Sequence, residues 1–341
     1  MKAKLTHQRI PIFLSLFITN RCNLHCKYCF ITDPNISIEI RRAEYTKEEV
    51  FQIIDEFYDM GTRMIFLLGG EPLVHKDIGE IINYIVSKGI YLTICTNGVL
   101  IKEKLEAIKR VHVLAVSLDG VGDANDALRG QGTSQRVIEG IESALKAGIP
   151  CRIHAVLTRN NLQDMRSLAK LTARLGVVLT ISPPNFLGET AISELKITSE
   201  EYKAFWREYL DMFQEGLPIG NNAEAIRQCL SWPTDYQTFI RKGEKYKGYK
   251  PTFCLNGYTY VALGAEGTMY NCINLGVYHG PNIKKIGIRK AWSTLLEWRP
   301  DCVSCSSINC IETAKMLSMR SEAILSGLRF HAFRRENKIF K

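Results

Sequence analysis

Residues 12–30 read IFLSLFITNRCNLHCKYCF. The opening run, 12–18, is short, apolar and rich in Ile, Leu and Phe, which is the pattern of a strand covered on both faces. It leads directly into Cys22, Cys26 and Cys29, a Cx3Cx2C spacing. Three thiolates on one short loop can hold three corners of an iron–sulfur cubane and leave one iron open, where four would close it into an electron carrier. An open iron can take a ligand, as an open zinc does in catalysis. The plainer reading of the same loop is a zinc site completed by His25 or by a distant residue.

Five more runs of the same kind follow, at 63–68, 90–95, 111–117, 151–157 and 177–181. Helical patterns lie between them at 47–59, 77–88, 101–109, 134–147 and 162–175. The first has Thr46 as N-cap and Glu49 as its capping-box partner, with Val50, Ile53, Ile54 and Phe57 on one face. Gly61, Gly89, Gly148 and Gly176 are the stops. Strand–helix alternation makes parallel βαβ units, so the fold class is α/β, with a sheet that either curls toward a barrel or is wound on both sides. The loops after its strands gather at one edge, where ligands bind.

The character changes after Pro183-Pro184. Residues 199–215 and 222–231 read as helices, and 240–251 as a basic loop. A hairpin follows, 258–263 and 268–273 around Gly264-Ala265-Glu266-Gly267. A cysteine-rich loop at 302–310 precedes an amphipathic helix from about 311 to 327. The division expected is a core at 1–185, a helical linker at 186–250 and a small cysteine-rich domain at 251–341.

With 46% hydrophobic and 23% charged residues, the composition is that of a folded globular protein. The formal charge of +9 comes from no long basic block, so no nucleic-acid partner is expected. No apolar stretch reaches the ~20 residues of a membrane span. A basic start, Met1 to Lys4, precedes the apolar run Ile10–Ile18, but no small-residue cleavage site follows, and the expected location is cytoplasmic. Eleven cysteines, eight of them in two groups, suit metal or iron–sulfur ligation better than a disulfide framework.

The Cx3Cx2C loop, with aromatic Tyr28 before its last cysteine, resembles the signature of the radical S-adenosylmethionine (radical SAM) superfamily. Further strand-end elements extend the resemblance over residues 12–185: Gly69-Gly70-Glu71-Pro72, Thr96-Asn97-Gly98 and Ser117-Leu118-Asp119-Gly120. The resemblance implies a partial (β/α)6 TIM-like barrel and a [4Fe-4S] cluster whose open iron chelates the amino and carboxylate groups of S-adenosylmethionine, with reductive cleavage to a 5′-deoxyadenosyl radical that abstracts hydrogen from the substrate. It implies that the backbone of Gly69 to Pro72 and the Glu71 carboxylate take the cofactor's amino group, with the glycines allowing close approach. Asn97, Ser117 and Asp119 would lie near the ribose, Leu157 against the adenine, and Arg129 or Arg136 on the carboxylate.

The second group is Cys254, Cys272, Cys302, Cys305 and Cys310. A structural zinc knuckle is the plain reading. The Gly267-x4-Cys272 spacing at the hairpin, with Cys302-x2-Cys305 beyond a short helix, looks like the SPASM or twitch extension of radical SAM proteins. Five cysteines suit one further [4Fe-4S] cluster, assigned to Cys254, Cys272, Cys302 and Cys305, with Cys310 able to replace either of the last two. Ligation would stabilise so small a fold directly.

Cys95 and Cys151 read as core residues. Cys229 reads as core too, with hydrogen-atom donation to a substrate radical as the alternative. His25 and His75 read as local hydrogen-bonding residues, and the run Arg241 to Lys247 as a solvated loop or an attractor of anionic substrate. The implied function is an oxidoreductase or maturase-type enzyme of natural-product biosynthesis. It would dehydrogenate or crosslink its substrate with the auxiliary cluster taking an electron, and draw on a reductant such as flavodoxin or ferredoxin. Epimerisation with a thiol donor, or a non-catalytic iron–sulfur or zinc protein, are the alternatives. The substrate is a small molecule, sugar, lipid or peptide. Only 21 residues precede Cys22, which shifts weight away from peptides.

Overall fold

The computed structural model describes residues 9–317, apart from 30, 32–35, 184–192 and 273–278. Six parallel strands follow the apolar runs: β1 (Phe13–Phe17), β2 (Met64–Leu68), β3 (Tyr91–Thr96), β4 (Val113–Ser117), β5 (Cys151–Val156) and β6 (Val178–Ser182). They pair in sequence order, with helices as crossovers, giving the partial barrel expected. The helix Lys47–Met60 has the full Thr46–Glu49 capping box and ends at Gly61 in the left-handed conformation. The pattern at 101–109 shortens to a helix over Leu105–Ile108 with turns before it.

A helix that the apolar pattern did not mark spans Asp123–Arg129. It is short and polar, and Gly122 gives it no side-chain cap. Its Asp126 instead reaches ahead to the backbone N–H groups of Gly132 (2.6 Å) and Ser134 (2.7 Å), so it caps the next helix, Thr133–Lys146, from outside.

Beyond residue 193, helices Ser199–Gln214 and Ala223–Leu230 lie against each other. Their Tyr202, Phe205, Trp206, Tyr209, Met212 and Ile226 join the same apolar cluster as the strands. The basic stretch opens with a short strand, β7 (Phe239–Arg241), which pairs antiparallel with β10 (Cys302–Cys305). The hairpin forms as β8 (Tyr260–Leu263) and β9 (Met269–Tyr270). Its first strand lies parallel to β1, so the main sheet has eight strands in the order β6-β5-β4-β3-β2-β1-β8-β9. The last described helix is Ile308–Leu317, and the expected continuation to 327 lies outside the described residues.

The strands have two distinct faces. Leu14, Leu16, Ile65, Leu67, Ile94 and Ile153 belong to the buried cluster that the helices cover. The alternate positions point inward and carry the polar residues Ser15, Thr93, Cys95, Ser117, Arg152, His154 and Thr180 alongside apolar ones such as Phe17 and Leu68. The sheet thus buries hydrocarbon outside and keeps a chemically equipped interior. No helix among the described residues is long and apolar enough to cross a membrane.

Candidate functional site

The loop after β1 carries Cys22, Cys26 and Cys29, each partly exposed. A turn closes its end, with the Cys29 N–H donating to the Cys26 carbonyl at 3.1 Å. Donors point at the sulfurs. Cys22 Sγ receives the Leu24 N–H at 3.4 Å and lies 3.8 Å from Asn97 Nδ2, and Arg129 Nη1 is 4.0 Å from Cys26 Sγ. Without a bound cation, burial pushes the Cys26 thiol up to about 11, despite the opposing pull of Arg129. A metal cation would reverse that preference, and N–H groups aimed at sulfur suit a thiolate ligand.

Gly69 and Gly70 follow β2, and their backbone is pressed against the same loop. A Cβ on Gly69 would meet the Thr19 carbonyl oxygen at 2.5 Å, and one on Gly70 would meet the Arg21 oxygen at 2.4 Å. The close approach that requires glycine is thus to the chain's own backbone. Glu71 also differs from the expectation. Its carboxylate faces inward, fully buried, and accepts from the Leu73 N–H (3.0 Å), the Asn97 N–H (2.6 Å) and the Thr96 hydroxyl (2.8 Å). Burial pushes it up to about 7 against those hydrogen bonds. It braces the Thr96–Asn97 turn, and Pro72 is buried beside it. Asn97 in turn donates to Asn23 Oδ1 at 2.7 Å, tying the β3 end to the cysteine loop.

At the end of β4, Asp119 is the hub of a buried network. It accepts from the Tyr28 hydroxyl, from Arg129 Nε at 2.6 Å and from the Val156 N–H at 2.8 Å. Both Asp119 and Arg129 are almost wholly buried. Burial opposes the Arg129 charge, but the Asp119 carboxylate outweighs it and holds the guanidinium firmly protonated. Asn125 and Asn161 complete the hub, accepting from the Asp119 N–H and donating to its carbonyl. Of the two arginines left open, Arg129 is the one beside the cysteines, whereas Arg136 lies exposed on a helix surface with a 3.4 Å contact to the Gly132 carbonyl. Ser117 is half-buried on the inner face, and Leu157 is fully buried in the apolar cluster. His25 is exposed. His75 is buried, with its ring nitrogens at 2.9 Å from the Tyr45 carbonyl and 3.1 Å from the Asp77 N–H, a local role as expected.

The second cysteine group sorts differently from its spacing. The Cys310 thiol hydrogen-bonds those of Cys254 and Cys305, and Asn256 Nδ2 lies 3.7 Å from Cys310 Sγ. Cys272 is an electrostatic neighbour of Cys305. Cys302 has Cys254 and Arg299 as neighbours and sits at the margin. Cys310 thus has Cys254 and Cys305 as its partners, with Cys272 near Cys305 and Cys302 near Cys254. A register shift between Cys302 and Ser304 breaks the alternation of the strand Cys302–Cys305, so Cys302 and Cys305 stand opposite Arg241 and Phe239. Among the described residues, no three His, Cys, Asp or Glu side chains already converge on a single-ion geometry; the thiols stand as neighbours.

The isolated cysteines divide too. Cys151 is buried in the core, as read from its strand. Cys229 is fully buried between helices, its Sγ 3.5 Å from the Ser306 carbonyl and hydrogen-bonded by Tyr202, and burial pushes its thiol far up. It belongs to the buried apolar cluster, the core role read from its sequence. Cys95 is the opposite case. It was read as core but lies on the inner face beside Arg152 and Glu71, with burial pushing it up to about 11. Tyr260, on β8, hydrogen-bonds Ser15 at 2.9 Å and has Cys95, Cys272 and Cys310 around its phenol. The inner face between the two cysteine groups was the part of the site that apolar-run reading missed. Its signal was the alternation in Cys151-Arg152-Ile153-His154-Ala155-Val156, which is buried at every second residue.

Residues 16–172 match the family described as the Radical SAM superfamily. The AdoMet-dependent heme synthase of Methanosarcina barkeri is 26% identical over 302 residues, 83% of this chain and 82% of that one. The mycofactocin maturase MftC of Mycolicibacterium smegmatis is 31% identical over 208 residues, 58% of this chain and 51% of that one. In fold the chain is similar to Streptococcus suis SuiB, crystallised with its precursor peptide SuiA, at a TM-score of 0.65 and 20% identity. That likeness covers 85% of this chain and 66% of SuiB. The chain thus spans about half the length of the maturase and just under two thirds of SuiB.

Proposed function

Because residues 16–172 of this chain belong to the radical SAM superfamily, we propose that the chain is an enzyme that oxidises its substrate at an unactivated C–H bond, with two [4Fe-4S] clusters. Cys22, Cys26 and Cys29 would hold the first cluster, and Cys254, Cys272, Cys305 and Cys310 the second. When bound, the first cluster and S-adenosylmethionine supply hydrogen-atom abstraction, chemistry that belongs to the cofactor. The chain's residues position and shield. Arg129 takes the cofactor carboxylate, and Asp119 and Tyr28 hold its guanidinium in place. Glu71 acts at one remove, fixing the Thr96–Asn97 turn, while the Gly69–Gly70 backbone borders the cofactor. Asn97 and Ser117 lie toward the ribose and Leu157 toward the adenine.

The observation that carries oxidation over epimerisation is Tyr260. It borders both the barrel interior and the second cysteine group, so an electron leaving a substrate there has a closed cluster close by. Epimerisation by way of Cys229 loses its support, because that thiol is sealed in the core. The matched relatives span by name a heme synthase and a peptide-bound enzyme, so the substrate stays a small molecule or peptide. A one-electron reductant such as flavodoxin or ferredoxin remains the proposed redox partner, with the cytoplasm as the location.

The test is iron and product counting on anaerobically reconstituted protein. About eight irons are expected, four per cluster. Replacing Cys22, Cys26 and Cys29 together should remove about half the iron and end 5′-deoxyadenosine release. Cys310→Ala should remove the other half and leave that release in place, while Cys302→Ala keeps both clusters. Iron lost on Cys302→Ala and retained on Cys310→Ala would refute the second ligand set.

A further inference from the structure

We infer that the inner face of the sheet carries a substrate subsite built on Arg152, which takes a planar or tetrahedral oxyanion, a carboxylate or phosphate of the substrate. This rests on the radical SAM reading above and narrows its substrate class.

Arg152 is the second residue of β5, in register with Ala115 of β4 and Val178 of β6. Its sequence neighbours Cys151 and Ile153 are in the helix-covered cluster, so its side chain leaves the opposite face. There its Nε is closed off from solvent and has no hydrogen-bond partner. No ion pair among the described residues involves it. Arg129 is the contrast: its buried guanidinium is bonded to Asp119 at 2.6 Å. A guanidinium N–H withdrawn from water without an acceptor is a cost that folds ordinarily remove.

Among the described residues, the neighbouring polar groups are already engaged. His154, the next inner-face residue of β5, has both ring nitrogens engaged, at 3.0 Å from Thr180 Oγ1 and 3.1 Å from Ser182 Oγ. Glu312 is the acid near enough to feel Arg152, and its oxygens are held by Asn221 Nδ2 at 3.1 Å and by the Asn222 N–H. What is missing is an acceptor, and an oxyanion supplies two or more in the geometry a guanidinium prefers. Position adds to the case. His154 is an electrostatic neighbour of Arg152 on one side and of Asp119 and Arg129 on the other. An anion held by Arg152 therefore leaves the rest of the substrate lying across His154 toward the first cysteine loop.

The probes are succinate, inorganic phosphate and the neutral succinamide, titrated calorimetrically into anaerobic reconstituted protein. Succinate or phosphate should bind and succinamide should not, and the better of the two anions identifies the group. Arg152→Gln should weaken that binding by about tenfold or more, with Arg152→Lys in between. If Arg152→Gln does not fold, phenylglyoxal labelling of the unmodified protein serves instead, with succinate or phosphate protecting Arg152 in peptide mass spectra. Neither anion binding, equal binding by the Arg152→Gln protein, or absence of protection would overturn the subsite. So would binding that falls instead with Lys245→Gln and Lys247→Gln in the basic stretch. Failure of the underlying reading shows separately, as no 5′-deoxyadenosine release from the unmodified protein.

Discussion

Arg129 and Arg136 share a sequence neighbourhood but sit in different media. The first is buried against Asp119 with its Nη1 4.0 Å from Cys26, and the second is exposed on a helix. If Arg129 takes the cofactor carboxylate, Arg129→Gln loses a charge-assisted contact of about 1.5–3 kcal/mol, a roughly tenfold to hundredfold rise in the Kd for S-adenosylmethionine. Arg136→Gln should leave that Kd unchanged in the same equilibrium dialysis. His154 offers a second residue-scale prediction. Burial, then the Arg152 charge, lower it to about 4 from its ordinary 6.5. The unfolded chain therefore takes up a proton before the folded one does. Its neutral form contributes stability that is fully present above about 6.5 and is lost as pH falls toward 4. The loss is of the order of 3 kcal/mol, and denaturant titrations across that range should show a shallower acid limb for His154→Asn. The sequence made the charges of Arg152 and His154 plain. It did not show their inward direction, because a strand rich in apolar residues looks uniform until its alternate positions are separated.

At the scale of elements, local chemistry marked what local chemistry determines. The six parallel strands and the Thr46–Glu49 capping box stand where the apolar runs and cap residues put them. The helix Asp123–Arg129 escaped notice because Asp126 caps its successor across a turn, an arrangement without a compact sequence signature. The strand Phe239–Arg241 escaped because three residues acquire their identity from a partner some sixty positions on. Spacing alone leaves Cys302, Cys305 and Cys310 open as ligands, because it does not show which thiols the turn into the last helix brings together. The helix Ala223–Leu230 carries the prediction here. Its Cys229 is packed beneath Tyr202 and beside Ser306, so Cys229→Ala should lower stability by about 1 kcal/mol in chemical denaturation, the cost of one missing buried atom. Turnover and product mass should not change. Solvent deuterium that enters the product and disappears with this variant would show that the thiol reaches the substrate after all.

Across the whole molecule, the two cysteine groups approach one barrel from opposite ends of the chain. What joins them is β8, which registers Phe13 with Tyr260 and Leu16 with Leu263. That pairing also imposes a schedule on synthesis. Until β8 is made, β1 is an edge strand, and its FLSLF sequence holds no charge and no proline to discourage a foreign strand. At the usual 5–20 residues per second, the ribosome needs roughly 12–50 s to travel from Phe17 to Tyr260. For that interval the nascent chain shows an open, sticky edge next to three reactive thiols, so the newborn polypeptide, more than the finished protein, is where chaperone dependence and poor yield in overexpression should originate.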